Sequence, residues 1–202
     1  MELPDFSVEH LKQLPLRAIV AFAARCARRV EDLAQLPEGH PEREGRRKAV
    51  EAALRMAEDF ARGSTAPPEE SVAEAVKASR TLAGGPLSSD NAATAVAEAA
   101  HAAVSAWHVV GTRNVGEDKA PGTRTPDAKK FLGALEQITA DLAALDAFTA
   151  AVEAYGSVGI HDEPFVAAAL DDYNRLLRMN LGHYPEAGDP IDPSPEGVLG
   201  PL

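Results

Sequence analysis

The stretch SSDNAATAVAEAAHAAVSAWHVVG, residues 88–111, decides the fold of this chain. It reads as one helix that is apolar almost all the way round. Its polar exceptions after the first turn are Thr94, Glu98, His101, Ser105 and His108, which step i+4, i+3, i+4, i+3. At 3.6 residues per turn they fall on one narrow stripe. A helix with so little polar surface belongs at the centre of a bundle. The sequence therefore predicts an all-α protein: a single Ala-rich bundle of five to seven helices around a central helix over about residues 89–110.

The composition agrees. Alanine supplies about a fifth of the 202 residues, and it favours helix more than any other residue. Aromatic residues make up only 5% of the chain, so the helices must pack through small side chains. No sustained β-branched alternation calls for a sheet.

Outward from the central helix, Pro15 suits the first turn of a helix over residues 16–36. Its apolar face carries Ile19, Val20, Ala23, Cys26, Ala27, Val30 and Leu33. Arg17, Arg25, Arg28 and Asp32 lie on the opposite side. Arg29 flanks the apolar face, where it either reaches outward or pairs with a carboxylate at a helix interface. A second helix follows Pro41 and stops at Gly63. Its cluster Arg43, Arg46, Arg47 and Lys48 is interleaved with glutamates and lacks aromatic partners, as a solvated helix start would. Further helices are predicted over residues 67–83, 126–155 and 163–181. The central helix takes a cap from Ser88 or Ser89, and Asp162 caps the last helix. Residues 111–126, GTRNVGEDKAPGTRTP, read as a loop without the order of a phosphate-binding loop. The bundle domain is drawn over residues 1–182. The tail, 183–202, carries five prolines and no periodic pattern, so it should run extended and either pack along the bundle or stay mobile.

The formal charge of −11 argues against nucleic acid and anionic membranes as partners. Residues 15–63 hold ten Lys/Arg against eight Asp/Glu, whereas residues 126–202 hold four against thirteen. That asymmetry serves either attraction between the two halves or an acidic surface offered to a basic protein partner. The single cysteine, Cys26, excludes an internal disulfide and reads as a small buried hydrophobe. The acidic start MELPDFSVEH is unlike a signal peptide, and Glu98 and His101 interrupt the longest apolar run, so a cytoplasmic location is expected.

Glu98, His101, Ser105 and His108 are the candidate partner- or ligand-binding residues. Glu98 and His101 have the Glu-x-x-His spacing of carboxylate-bridged dimetal bundles, but no second copy occurs in the chain. His101 and His108 stand about 10.5 Å apart along the helix axis, too far to share one ion unaided. Ser105 lies within reach of either histidine by spacing, yet nothing resembles a nucleophile elbow or an oxyanion loop. The sequence thus predicts no catalytic residue, no metal and no cofactor. It predicts that the stripe meets solvent, a polar seam or a partner, with Trp107 anchoring the adjacent core.

Two stretches carry a family resemblance. LRAIVAFAARCARRVEDL, with Ala24, Cys26, Arg29 and Val30, resembles the opening helix of all-helical immunity proteins from bacterial polymorphic toxin systems. VAEAAHAAVSAWHVV, with His101, Ala106, His108 and Val109, resembles that family's Ala- and His-rich central helix. The Ala-rich segments ending FARG and LAGG fit the same layout. The resemblance covers residues 16–110. Beyond Gly111 the family's histidine-rich continuation is missing, and GTRNVGEDKAPG stands in its place. The resemblance implies a non-enzymatic cytoplasmic protein that binds and neutralises a toxin. A bundle that binds metal or a small ligand through Glu98, His101 and His108 is the alternative. An interaction scaffold that docks through its DPIDPSPEG tail is a third reading.

Overall fold

The computed structural model describes residues 6–64, 87–114, 139–159 and 161–202. Their helices are α1 (Val8–Leu11), α2 (Leu16–Arg29), α3 (Arg43–Ala61), α4 (Leu87–Asn114), α5 (Ala140–Ser157) and α6 (Glu163–Arg178), with a 3-10 turn at Glu31–Ala34. No strand occurs among the described residues. The fold is an all-α bundle, as the central stretch predicts. The helix expected over residues 67–83 lies outside the described residues.

Helix α4 is the axis. It packs most extensively against α5 and also against α2 and α3. The contact surfaces are alanine: Ala92, Ala95, Ala99, Ala102, Ala103 and Ala106 of α4 are buried, as are Ala143, Ala144, Ala147, Ala151 and Ala154 of α5. Such side chains lose no rotamer freedom on burial, so close packing is gained without that entropic cost. Larger side chains gather in two clusters. Phe6, Phe22, Phe148 and Tyr173 form one aromatic cluster, with Phe6 and Phe148 centroids 5.3 Å apart. Phe60 and Trp107 meet edge to face at 5.2 Å. The Trp107 indole N–H also donates to the Ser64 carbonyl at 3.0 Å, so Trp107 does anchor the core beside the stripe.

Helix ends account for several departures from the sequence reading. Helix α2 stops at Arg29, and its predicted last turn winds into the 3-10 helix. Val30 remains buried, so the apolar pattern continued although the α-helix did not. Helix α3 ends where Gly63 predicts. Gly63 takes φ +101°, and the Gly63 and Ser64 amides donate to the carbonyls of Phe60 and Asp59. That pair of bonds is a Schellman motif, which needs the left-handed residue that glycine supplies. The expected helix over 126–155 does not pass through Thr139, whose backbone is extended and starts α5. Its residues 126–138 lie outside the described part. Helix α4 begins at Leu87, so neither Ser88 nor Ser89 is its cap, and it runs on through 111–114, where a loop was expected. The rest of that loop lies outside the described residues. Asp162 does precede α6, but its side chain makes no cap hydrogen bond.

The tail packs. It runs without helix or strand from Leu181 to Leu202, and it buries Ile191, Pro193 and Leu199. Its amide at Ile191 donates to the Ala61 carbonyl at 2.8 Å, and the Glu186 and Ala187 carbonyls accept from the amides of Leu16 and Arg17 at 2.9 Å. Those amides are orphan donors at the start of α2, so the tail completes that helix end. Gly188 makes the approach possible: with φ +78°, a Cβ there would stand 2.6 Å from Pro15. The core therefore continues past residue 182.

Two arginines that the sequence places on solvated faces are interior. Arg25 is fully buried, and Arg46 is 2% exposed. Arg46 donates to the Ala34 carbonyl at 2.6 Å and to the Ser89 carbonyl and hydroxyl at 2.8 Å, joining the 3-10 turn, α3 and α4. Burial lowers its pKa, and Asp90 offsets part of that. Arg46→Ala would strand three buried acceptors, so we expect unfolding free energy to fall by about 3 kcal/mol in urea titrations, with the helical fold retained.

Candidate functional site

The polar stripe of α4 changes character along its length. Thr94 is exposed, and its hydroxyl donates to the Asp90 carbonyl at 2.9 Å, a local back-bond. Glu98 and His101 are half-buried and pair with each other, Glu98 Oε2 to His101 Nδ1 at 3.2 Å. Ser105 is buried, at 7% exposure, and His108 is half-buried. The stripe therefore runs from solvent into a seam. The i,i+3 spacing that suggested a shared ion instead lets the two side chains satisfy one another. Among the described residues, no three His, Cys, Asp or Glu side chains gather where they could hold a metal ion.

Asp146 of α5 faces this pair. Partial burial, then the negative charge of Glu98, pushes its pKa up. The sequence reading missed Asp146 because the two helices are 48 positions apart at these residues, and nothing local marks their pairing. A carboxyl group with a raised folded pKa favours the folded state below its unfolded pKa. That contribution disappears as pH rises through the folded value. Asp146→Asn should thus raise the melting temperature at pH 7 relative to the parent protein. The two melting curves should converge as pH falls through the carboxylate range, a comparison open to circular dichroism.

A second polar assembly lies inside the protein. Asp172 of α6, 2% exposed, accepts a hydrogen bond from Arg25 Nε at 2.7 Å and forms an ion pair with Arg29 Nη2 at 2.6 Å, both on the same oxygen Oδ2. Arg29 thus pairs with a carboxylate at a helix interface, one of the two fates its position allowed. Arg25 then turns its remaining donors onto the tail: Nη1 to the Pro193 and Gly200 carbonyls at 3.2 and 2.9 Å, and Nη2 to the Pro201 carbonyl at 2.9 Å. Arg17 reaches the Gly188 carbonyl at 2.6 Å, Arg175 the Leu199 carbonyl at 2.6 Å, and Arg62 the Asp192 carboxylate at 3.1 Å. A tail without its own ladder has free carbonyls, and guanidinium groups supply the donors.

Cys26 lies beside Arg25, Arg29 and Asp172. Burial pushes its thiol up to about 12, while the arginine charges work in the other direction and Asp172 adds to the rise. The thiolate is the reactive form. Cys26 should resist an aromatic disulfide reagent at pH 8 in the folded protein and react with one equivalent once denatured. Rapid native labelling would contradict its placement.

Exposed charge divides the chain in two. Among the acids of residues 6–64, Glu9, Glu31, Glu38, Glu44, Glu51, Glu58 and Asp59 each meet an arginine or lysine, while exposed Asp32 and Glu42 pair with none of the described residues. Arg28 gathers three of them, at 2.7 Å from Glu58, 2.9 Å from Glu31 and 3.4 Å from Glu51. Burial opposes its charge, but the hydrogen bonds to Glu58 and Glu31 carry its pKa above the ordinary arginine value. On α5, α6 and the tail, Glu153, Glu163, Glu186, Asp189 and Glu196 are exposed and form no ion pair among the described residues.

Fold and site together define a class: an all-helical bundle whose interior is tied by arginines and whose described surface on α5, α6 and the tail is acidic. No protein-family model, curated protein or solved structure matches the chain. No helix among the described residues is long and apolar enough to cross a membrane.

Proposed function

We propose that the protein is a non-enzymatic binding module that captures a basic protein partner, in the manner of an immunity protein neutralising a toxin. The observation that supports this reading is the uneven use of charge. Seven acids of residues 6–64 pair with a neighbouring arginine or lysine, whereas exposed Glu153, Glu163, Glu186, Asp189 and Glu196 on α5, α6 and the tail have no cationic partner among the described residues. Unpaired surface charge of one sign steers an oppositely charged partner and raises its association rate. The resemblance over residues 16–110 to helical immunity proteins points the same way, as does the all-α fold. A cytoplasmic site of action belongs to the same reading.

The test is capture and protection with the toxin-like proteins encoded beside this chain. A tight one-to-one complex should form, and co-expression should restore growth. Replacing Glu153, Glu163, Glu186, Asp189 and Glu196 with glutamine should slow association at least about tenfold at low salt and flatten its salt dependence. Dissociation should change far less. A panel with no binding and no protection would refute the immunity reading, and unchanged association kinetics would refute the role of the acids.

A further inference from the structure

The interior ion cluster is unbalanced. Arg25 and Arg29 bring two positive charges to the single carboxylate of Asp172, and all three side chains are at most 7% exposed. Arg29 uses only Nη2. Its Nε and Nη1 are buried and make no hydrogen bond. Unused donors on a buried cation are costly, because the lost hydration is not replaced. The C-terminal end of α2, where Arg29 sits, offers a partial negative charge that offsets some of the excess but supplies no acceptor to those two atoms. Arg25 is satisfied differently, since three neutral carbonyls of the tail take its outer donors.

We propose that Arg25 and Arg29 form a site for a small oxyanion of the phosphate, sulfate or carboxylate class, closed by the tail. An oxyanion competes with the carbonyls for the same donors, and charge-assisted hydrogen bonds are roughly twice as strong as those to neutral acceptors. It would balance the second arginine and give Arg29 the acceptors it lacks. Binding displaces the segment from Pro193 to Pro201, which holds to Arg25 only by those carbonyls. The bundle's own helices stay in place, because Asp172 continues to link α2 to α6. This inference is independent of the acidic surface proposed to bind a partner.

Amide hydrogen exchange on the full chain tests it, with inorganic phosphate compared against chloride at equal ionic strength and pH. The Gly197 and Gly200 amides, bonded to the Ser194 and Gly197 carbonyls, report on the displaced segment. Their exchange should accelerate about tenfold when phosphate reaches ten times its Kd for the open form, with the amides of α2 unchanged. Phosphate as a general solute tightens folded proteins, so the expected sign is opposite to its nonspecific effect. Arg29→Gln leaves Arg25 and Asp172 as a balanced pair and should abolish the acceleration. Tail amides that exchange equally or more slowly in phosphate would overturn the proposal, as would an undiminished acceleration in Arg29→Gln. Should that variant fail to fold, the comparison of phosphate with chloride on the parent protein still decides.

Discussion

The structure depends on one carboxylate oxygen. Asp172 Oδ2 pairs with Arg25 and Arg29, and through them it ties α6 to α2 in the buried interior. Arg25 passes the connection on to the tail, so three parts of the chain meet at one side chain. Buried ion pairs rarely stabilise a fold more than well-packed apolar groups would, but breaking one is expensive. Their value here is positional. An Ala-rich bundle has smooth helix surfaces with few ridges to fix a register. The arginine contacts supply fixed points: Asp172 for α2 and α6, and Arg46 for the 3-10 turn, α3 and α4.

How much of this could be read in advance follows from the range of the interactions. The central helix was legible because its apolar circumference is a local property of residues 88–111. Gly63 as a helix stop was equally local, and so was the burial of Cys26. Arg25 was not legible. It occupies the polar side of α2 by periodicity, and only the return of residues 193–201 makes that side interior. Arg46 was hidden among Arg43, Arg47 and Lys48 for the same reason: its partners come from residues 34 and 89. The charge asymmetry was visible as a count, but not which acids are neutralised.

The candidate stripe illustrates the same division. Its alignment on one face of α4 was a matter of helical geometry, and the pairing of Glu98 with His101 follows from their spacing. Its gradient from exposed Thr94 to buried Ser105 required neighbours. So did the neighbourhood of Asp146, an exposed carboxylate of α5 whose pKa rises through partial burial and the charge of Glu98. Catalytic chemistry was never favoured by the spacing, and the carbonyl-bound arginines at the other polar centre have a different character: they organise backbone.

The tail also bears on how the chain is made. Arg25 is synthesised well before the carbonyls that satisfy it, those of residues 193, 200 and 201. Until they follow, α2 must therefore carry a solvated guanidinium on what will become an inner surface. Contacts of such long sequence separation form late and slowly, because the intervening chain must first be ordered. The nascent bundle stays open along that seam, wet and unsealed, until residues 193–201 arrive to close it.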